Sequence, residues 1–203
     1  DDTKDIDDAI SIEKLSNGNY KLGVHIADVS YYVKENTPLD EEAYKRGTSV
    51  YLANTVIPML PHQLSNGICS LNPNVDRLAI SCVMEIDNAG EVVEYDIFES
   101  VIKSNIQMTY KKVNAILEKN EVAEGYESYV EKLHLMSELA DILRKNKVNK
   151  GYIDFDIDEA KVITDENGEA IDVVLRERGT GEKLIEDFMI AANETVASHI
   201  YQM

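Results

Sequence analysis

Leu78-Ala79-Ile80-Ser81-Cys82-Val83-Met84-Glu85-Ile86, then Asp87-Asn88-Ala89-Gly90, then Glu91-Val92-Val93-Glu94-Tyr95-Asp96-Ile97: this stretch decides the fold. Apolar side chains at 78, 80, 82, 84 and 86 recur at every second position, the period of a strand with one buried face. Asn88-Ala89-Gly90 turns the chain into a second apolar strand running through Val92 and Ile97. The N-terminal segment repeats the pattern. Ala9 to Glu13 is a short strand, Asn17-Gly18 is a two-residue hairpin signal, and Tyr20, Leu22, Val24 and Ile26 alternate strictly. The first hundred residues are therefore read as β-rich.

Elsewhere the period is helical, once within those hundred residues and then beyond them. Thr37-Pro38 opens a helix that Gly47 closes, with a capping hydroxyl and a proline in the first turn. Thr109 to Glu118 is a short helix. Tyr126, Tyr129, Val130, Leu133, Met136, Ala140 and Leu143 fall at helical spacing, ending before Gly151. Two more strands, Lys161 to Thr164 and Ala170 to Leu175, are joined by a turn at Asn167-Gly168. Gly181 to Tyr201 is an amphipathic helix with Ile185, Phe188, Met189, Ala192 and Val196 on one face. Segregated strands and helices predict an α+β fold, a mixed or antiparallel sheet with packed helices. No linker, low-complexity tract or repeat divides the chain, so residues 1–203 read as a single domain without an internal boundary.

Thirty-eight Asp and Glu against 20 Lys and Arg leave a formal charge of −18. A chain so acidic does not hold nucleic acid by its overall field, although a local site working through bound cations remains open. No apolar run reaches the roughly 18 residues that span a bilayer, so no membrane association is expected. Cys69 and Cys82 form no metal-ligand pattern. They read as buried small apolar residues of a protein in a reducing, cytoplasmic compartment.

The opening, Asp1-Asp2-Thr3-Lys4-Asp5-Ile6-Asp7-Asp8-Ala9, packs five carboxylates into eight residues. Such a cluster repels itself unless something positive sits within it. It reads either as a solvated acidic terminus or as a cation site. Asp5, Asp7 and Asp8 lead straight into the strand through Ile10 and Ile12, and supply hard oxygen ligands suited to Mg²⁺ or Mn²⁺. An EF-hand is excluded, because Ile6 and Ile12 stand where glycine and a bidentate glutamate are required. His25 reads as a hydrogen-bonded core histidine and Asp28 as a turn or cap residue. No glycine-rich phosphate loop, nucleophile elbow or zinc-binding helix motif is present. Tyr51, Tyr110 and Phe155 lie at the edges of expected elements, where a ring can be either core or exposed.

Three stretches, Asp5-Ile6-Asp7-Asp8-Ala9, Val24-His25-Ile26-Ala27-Asp28-Val29-Ser30-Tyr31-Tyr32-Val33 and Val56-Ile57-Pro58-Met59-Leu60-Pro61, together resemble the catalytic domain of the ribonuclease II family. The likeness continues through Leu64-Ser65-Asn66-Gly67-Ile68-Cys69-Ser70-Leu71-Asn72-Pro73, Asp154-Phe155-Asp156 and Leu184-Ile185-Glu186-Asp187-Phe188-Met189-Ile190-Ala191-Ala192-Asn193. The wording is most like the ribonuclease R branch.

That resemblance implies a processive, divalent-metal-dependent hydrolytic exoribonuclease that degrades RNA from its 3′ end and releases nucleoside 5′-monophosphates. Asp5, Asp7 and Asp8 match three of its acidic positions. Asp7 would orient water, and Asp5 and Asp8 would lie closer to Mg²⁺, with Mn²⁺ an alternative. The resemblance aligns Tyr51, Tyr110 and Phe155 with rings that stack on the 3′-terminal bases of single-stranded RNA, and Glu186 with an acidic residue near the last nucleotide.

The family's first aspartate would lie six residues before Asp5, and neither Asp1 nor Asp2 has its spacing. A later arginine-bearing segment and the flanking cold-shock and S1 RNA-binding modules have no counterpart here. The chain is thus expected to be a partial catalytic domain, inactive or weakly active by itself, from an enzyme that is monomeric when complete. The rival expectation is a non-catalytic RNA-binding relative with the same fold; a third is an acidic cation-binding module.

Overall fold

The computed structural model describes residues 4–52, 55–153, 160–165, 168–175 and 178–203. In chain order the strands are β1 (Asp8–Lys14), β2 (Tyr20–Ala27), β3 (Val50–Tyr51), β4 (Val56–Ile57), β5 (Asp76–Ile86), β6 (Val92–Lys103), β7 (Ala160–Thr164) and β8 (Ala170–Leu175). The helices are α1 (Pro38–Arg46), α2 (Tyr110–Lys119), α3 (Val130–Asn149) and α4 (Thr180–Gln202). The two ribbons read from the sequence join into one antiparallel sheet in the order β1-β2-β5-β6, while β3-β4 and β7-β8 form separate antiparallel pairs. The fold is α+β, as expected.

Register explains the core. Leu22 lies opposite Ile12 on one side and Met84 on the other, and Val24 lies opposite Ile10 and Cys82. One face of the sheet is therefore a continuous apolar floor, and α3 and α4 cover it with Leu139, Ala140, Leu184, Phe188 and Ala192. Tyr20, Leu22, Met84, Ile86, Leu139 and Phe188 are essentially solvent-free. Each such side chain contributes on the order of 1.5–3 kcal/mol relative to exposure. Tyr20 also needs a polar partner there, and its hydroxyl donates to Glu138 of α3. Cys69 and Cys82 are free and buried.

Three details depart from the sequence reading. The Asn17-Gly18 hairpin is not a two-residue turn. Leu15 and Asn19 close the loop through Leu15 N–H to Asn19 C=O at 2.8 Å, with Gly18 at φ 87°. Asp87 to Glu91 uses the same three-residue device with Gly90 at φ 83°, a conformation that only the missing Cβ makes easy. Ile26, next in the alternation, is 36% exposed and lies outside the apolar cluster that α3 and α4 cover. Helix α3 begins at Val130 rather than Tyr126. Tyr126 turns instead into a second cluster with Val113, Ile116 and Leu133, and its hydroxyl accepts from Thr109 N–H at 3.2 Å.

The other face of the sheet carries a chain of polar side chains across its middle. His25 Nδ1 lies 2.7 Å from Ser81 Oγ and His25 Nε2 lies 3.0 Å from Ser11 Oγ. Ser81 Oγ in turn lies 2.6 Å from Ser100 Oγ. The ring lies over Gly23, where a Cβ would come within 2.4 Å of Ser11 Oγ and 2.8 Å of His25 Nε2. Burial holds the His25 pKa below its usual value, so the ring is a neutral bridge with one donor and one acceptor nitrogen. Among the described residues no helix is long and apolar enough to cross a membrane.

Candidate active site

The acidic segment is held extended from both sides just before β1. On one side Ala27 N–H donates to Asp7 C=O at 2.9 Å. On the other, Leu71 N–H donates to Ile6 C=O at 2.8 Å, and Ile6 N–H donates to Ser70 Oγ at 3.0 Å. The Ser70 hydroxyl in turn donates to Lys4 C=O at 2.9 Å. The backbone of Lys4, Ile6 and Asp7 is thus bonded between β2 and the loop after residue 68, although it belongs to no strand. Ile6 supplies the apolar anchor, packed against Ala27, Cys69 and Leu71. Side chains alternate along extended backbone, so anchoring Ile6 inward turns Asp5 and Asp7 outward.

The clamping loop has its own supports. Gln63–Ile68 forms one wide helical turn closed by Cys69 N–H to Leu64 C=O at 2.9 Å. Such five-residue closures are rare and recur at functional sites. Arg77 of β5 fastens the turn from beneath, donating from Nε to Ser70 C=O at 2.8 Å and from Nη2 to Gly67 C=O at 3.2 Å. Asp28 is buried and caps the turn that follows β2, accepting from Tyr31 N–H at 3.1 Å and from the Ser30 hydroxyl at 2.6 Å. It acts as the cap that its sequence context suggests.

Asp7 feels the carboxylates on both sides of it. Burial, then Asp5, then Asp8 raises the Asp7 pKa, although one flank of Asp7 faces solvent. Burial raises that of Asp8, opposed in part by a backbone hydrogen bond. Tyr51 joins the group from β3: its hydroxyl donates to Asp5 Oδ2 at 3.4 Å, and the Asp5 charge is the largest cause of its raised pKa. The phenol stays protonated and its ring stays 67% exposed. Burial first, then the charge of Asp7, pushes the Cys69 thiol up.

Tyr110 and Glu186 belong to a second group, where α2 meets the start of α4. Tyr110 is the first residue of α2, and a Cβ placed at Gly181 would come within 3.5 Å of its ring. The first turn of α4 is capped from α2: Asn114 accepts from Gly181 N–H at 2.7 Å, and Glu118 accepts from Thr180 N–H at 2.7 Å. One turn further along, Glu186 pairs with Arg178. Phe155 lies outside the described residues, as do Asp1 and Asp2.

Among the described residues no group of three or more His, Cys, Asp or Glu is arranged to hold a metal ion. The fit of a divalent cation here is one of donor type and charge. Mg²⁺ takes hard oxygens, keeps several waters and binds through one or two carboxylates together with substrate phosphates. Asp5, Asp7 and Asp8 are oxygen donors whose mutual repulsion a cation relieves.

Residues 1–203 match the RNB domain throughout. The chain belongs to the RNB domain family. Ribonuclease R of Thermotoga maritima is 60% identical over 97% of this chain. A structure of Mycoplasma genitalium RNase R in complex with ribose-methylated single-stranded RNA superposes with a TM-score of 0.94 at 33% identity, covering 99% of the chain. The chain spans 28% and 31% of those two proteins. Yeast Ssd1, a pseudonuclease, shares the fold with a TM-score of 0.74 at 21% identity over 97% of this RNB chain.

The residue reading found the carboxylates but not what holds them. Ser70, Leu71 and Arg77 carried no signal of their own, because a serine in a loop is ordinary until its partners are known.

Proposed function

We propose that the protein carrying this RNB chain is a processive 3′-to-5′ exoribonuclease that hydrolyses single-stranded RNA to nucleoside 5′-monophosphates. The observation that carries this reading is the acidic segment pinned between Ala27 and the Ser70–Leu71 loop, with the exposed Tyr51 ring bonded to Asp5. A segment so tightly bonded keeps repelling carboxylates in place, which a solvated acidic loop does not need.

Asp5 and Asp8 would hold a divalent cation, Mg²⁺ or Mn²⁺. When bound, it supplies positive charge against the phosphate oxygens and lowers the pKa of water. Asp7 accepts a hydrogen bond from the attacking water and aims it at the scissile phosphorus. The Tyr51 ring offers a stacking face beside the carboxylates, and Tyr110 offers another beside the α4 terminus. Stacking contributes on the order of 1–3 kcal/mol per base without reading sequence, as a degrader of varied RNAs requires. Glu186 faces the terminal nucleotide, and Phe155 completes the ring set.

Long-range attraction to RNA is assigned to cold-shock and S1 RNA-binding modules of the complete protein. This agrees with a chain whose own charge is −18. The complete protein is read as a cytoplasmic monomer, and the chain alone as inactive or weakly active.

The non-catalytic alternative has a precedent for the fold in yeast Ssd1. One experiment separates the two. The complete protein is incubated with Mg²⁺ and RNA labelled at its 3′ end or at its 5′ end. Immediate release of the 3′ label as mononucleotide, with stepwise shortening of the 5′-labelled strand, is expected. Binding without breakdown supports the pseudonuclease reading, and release of the 3′ label in oligonucleotides excludes an exonuclease.

A further inference from the structure

The polar chain on the face of the sheet away from α3 and α4 has a direction. Ser100 Oγ donates to Ala79 C=O at 3.1 Å, which spends its one proton. Ser81 Oγ, fully buried and 2.6 Å away, therefore donates to Ser100 and accepts from His25 Nδ1–H at 2.7 Å. With the ring neutral, Nε2 is left to accept from the Ser11 hydroxyl at 3.0 Å. One line of donors thus runs from β1 through β2 and β5 to β6 and fixes the His25 tautomer. Gly23 makes room for it, since a Cβ there would strike both Ser11 Oγ and the ring.

Strand β1 needs such a tie. Among the described residues it is an edge of the sheet, paired to β2 on one side, and its apolar side chains in the core are Ile10 and Ile12. Alternation fixes which face turns inward, but a shift of two residues keeps Ile10 and Ile12 on that face. Such a shift moves β1 by about 7 Å and carries Ser11 out of reach of Nε2. A hydrogen bond to a ring nitrogen is directional, so the ring selects one register. In that register Ala9 lies opposite His25, and Asp8 lies opposite Ile26, the next residue along. The backbone bonds at Ile6 and Asp7 hold the chain on one side of Asp8, and Ser11 holds it on the other.

We propose that His25 is a positioning residue for Asp8: by tying Ser11 to Ser81, it fixes where β1 leaves the acidic segment. This rests on the reading above of Asp5 and Asp8 as the groups that hold the cation.

The test uses the complete protein. Ser11→Ala and His25→Ala cut the tie to β1. Ser100→Ala cuts the far end of the chain and leaves β1 bonded. His25→Gln offers an amide donor and a carbonyl acceptor in place of the ring. Mn²⁺ affinity is measured without RNA by electron paramagnetic resonance, beside thermal stability and kcat and KM for RNA. Ser11→Ala and His25→Ala are expected to weaken Mn²⁺ binding by about tenfold, the lower end of the range for removing a group that supports a ligand. At limiting Mn²⁺ kcat falls with it while KM for RNA holds, and His25→Gln recovers part of the loss. Ser100→Ala loses stability and keeps its Mn²⁺ affinity.

If His25→Ala does not fold, Ser11→Ala decides alone, because Ser11 is exposed and its truncation opens no cavity. Unchanged Mn²⁺ affinity in every folded variant of Ser11 and His25, even with lowered stability, would make the chain a support of the sheet only and overturn the proposal. So would a Ser100→Ala variant that loses Mn²⁺ affinity as far as Ser11→Ala does. A wild type that binds Mn²⁺ yet degrades no RNA removes the catalytic reading while the Mn²⁺ comparison still decides this one. A wild type that binds no Mn²⁺ overturns this proposal together with the cation reading it rests on.

Discussion

Ser70→Ala removes one oxygen from a side chain with no exposed surface, and two backbone groups of the acidic segment lose their partner. Lys4 is exposed, so its carbonyl can turn to water. The Ile6 amide cannot do so as easily, because Ile6 is packed against Ala27, Cys69 and Leu71. A net hydrogen bond contributes about 0.5–1.5 kcal/mol and an orphaned buried donor costs about 1–3 kcal/mol, so the substitution should cost about 2–3 kcal/mol. In a domain of this size that is a fall in Tm of roughly 4–12 °C. Two measurements locate the effect: thermal unfolding followed by circular dichroism, and amide exchange at Ile6, which should speed up more than exchange in the β5 core. Mononucleotide release by the complete protein should fall in parallel, since Asp5 and Asp7 flank the loosened residue. An unchanged Tm with unchanged exchange at Ile6 would refute the clamp. Lower stability with full activity would break its link to the carboxylates.

Asp7→Asn in the complete protein should lower turnover by at least about a hundredfold, the usual range for removing a proton-transfer group, while RNA affinity holds; near-normal release of mononucleotide would sink the role given to Asp7. The raised Asp7 pKa means that the folded state binds this proton more tightly than the unfolded state. Its ionisation therefore erodes stability as pH climbs above about 3.8. The Asn variant should consequently melt higher than wild type at pH 7 without divalent cation and lose that advantage below about pH 3.8, which a melting series across pH checks. Tyr51→Ala or Tyr110→Ala should weaken binding of short RNA by about 1–3 kcal/mol and lengthen the residual fragment; identical end products would return both rings to the fold. Gly23→Ala drives a methyl into Ser11 and the His25 ring and should cost about 1–3 kcal/mol by overpacking, with part of that recovered when Ser11→Ala is added, as denaturant midpoints would report.

What was legible in the sequence follows from how local each signal is. Alternation at 78 to 86 and 20 to 24 revealed the strands and their buried faces, because every second side chain meets the same floor. It failed at Ile26, which keeps the alternation yet lies outside the cluster, because burial depends on what packs over a strand and not on its own pattern. Helical spacing placed α3 but drew Tyr126 into it. That ring satisfies the same period while packing against Val113 and Ile116 of α2. Asp5, Asp7 and Asp8 stood out because repelling charges concentrated in a few residues need a reason. Ser70 and Asp187 did not. One acts 64 residues away on the amide of Ile6, and the other is paired by cations 43 and 40 residues back.

The site combines two kinds of support that act on different groups. Backbone hydrogen bonds from Ala27 and the Ser70–Leu71 loop fix where the chain of Asp5 and Asp7 runs, independently of whether the carboxylates are charged. Side-chain ion pairs and caps from Asn114, Glu118, Arg144 and Lys147 fix the start and rotation of α4, which carries Glu186. The first survives changes in cation concentration; the second weakens with salt only where its groups are exposed. Lys147 and Asp187 are largely buried, whereas Arg178 and Glu186 are not. Raising ionic strength should therefore free Glu186 from Arg178 while leaving the Asp187 cluster and the acidic segment in place. The carboxylate read as facing the terminal nucleotide thus has a partner that salt displaces more readily than it displaces those of Asp187.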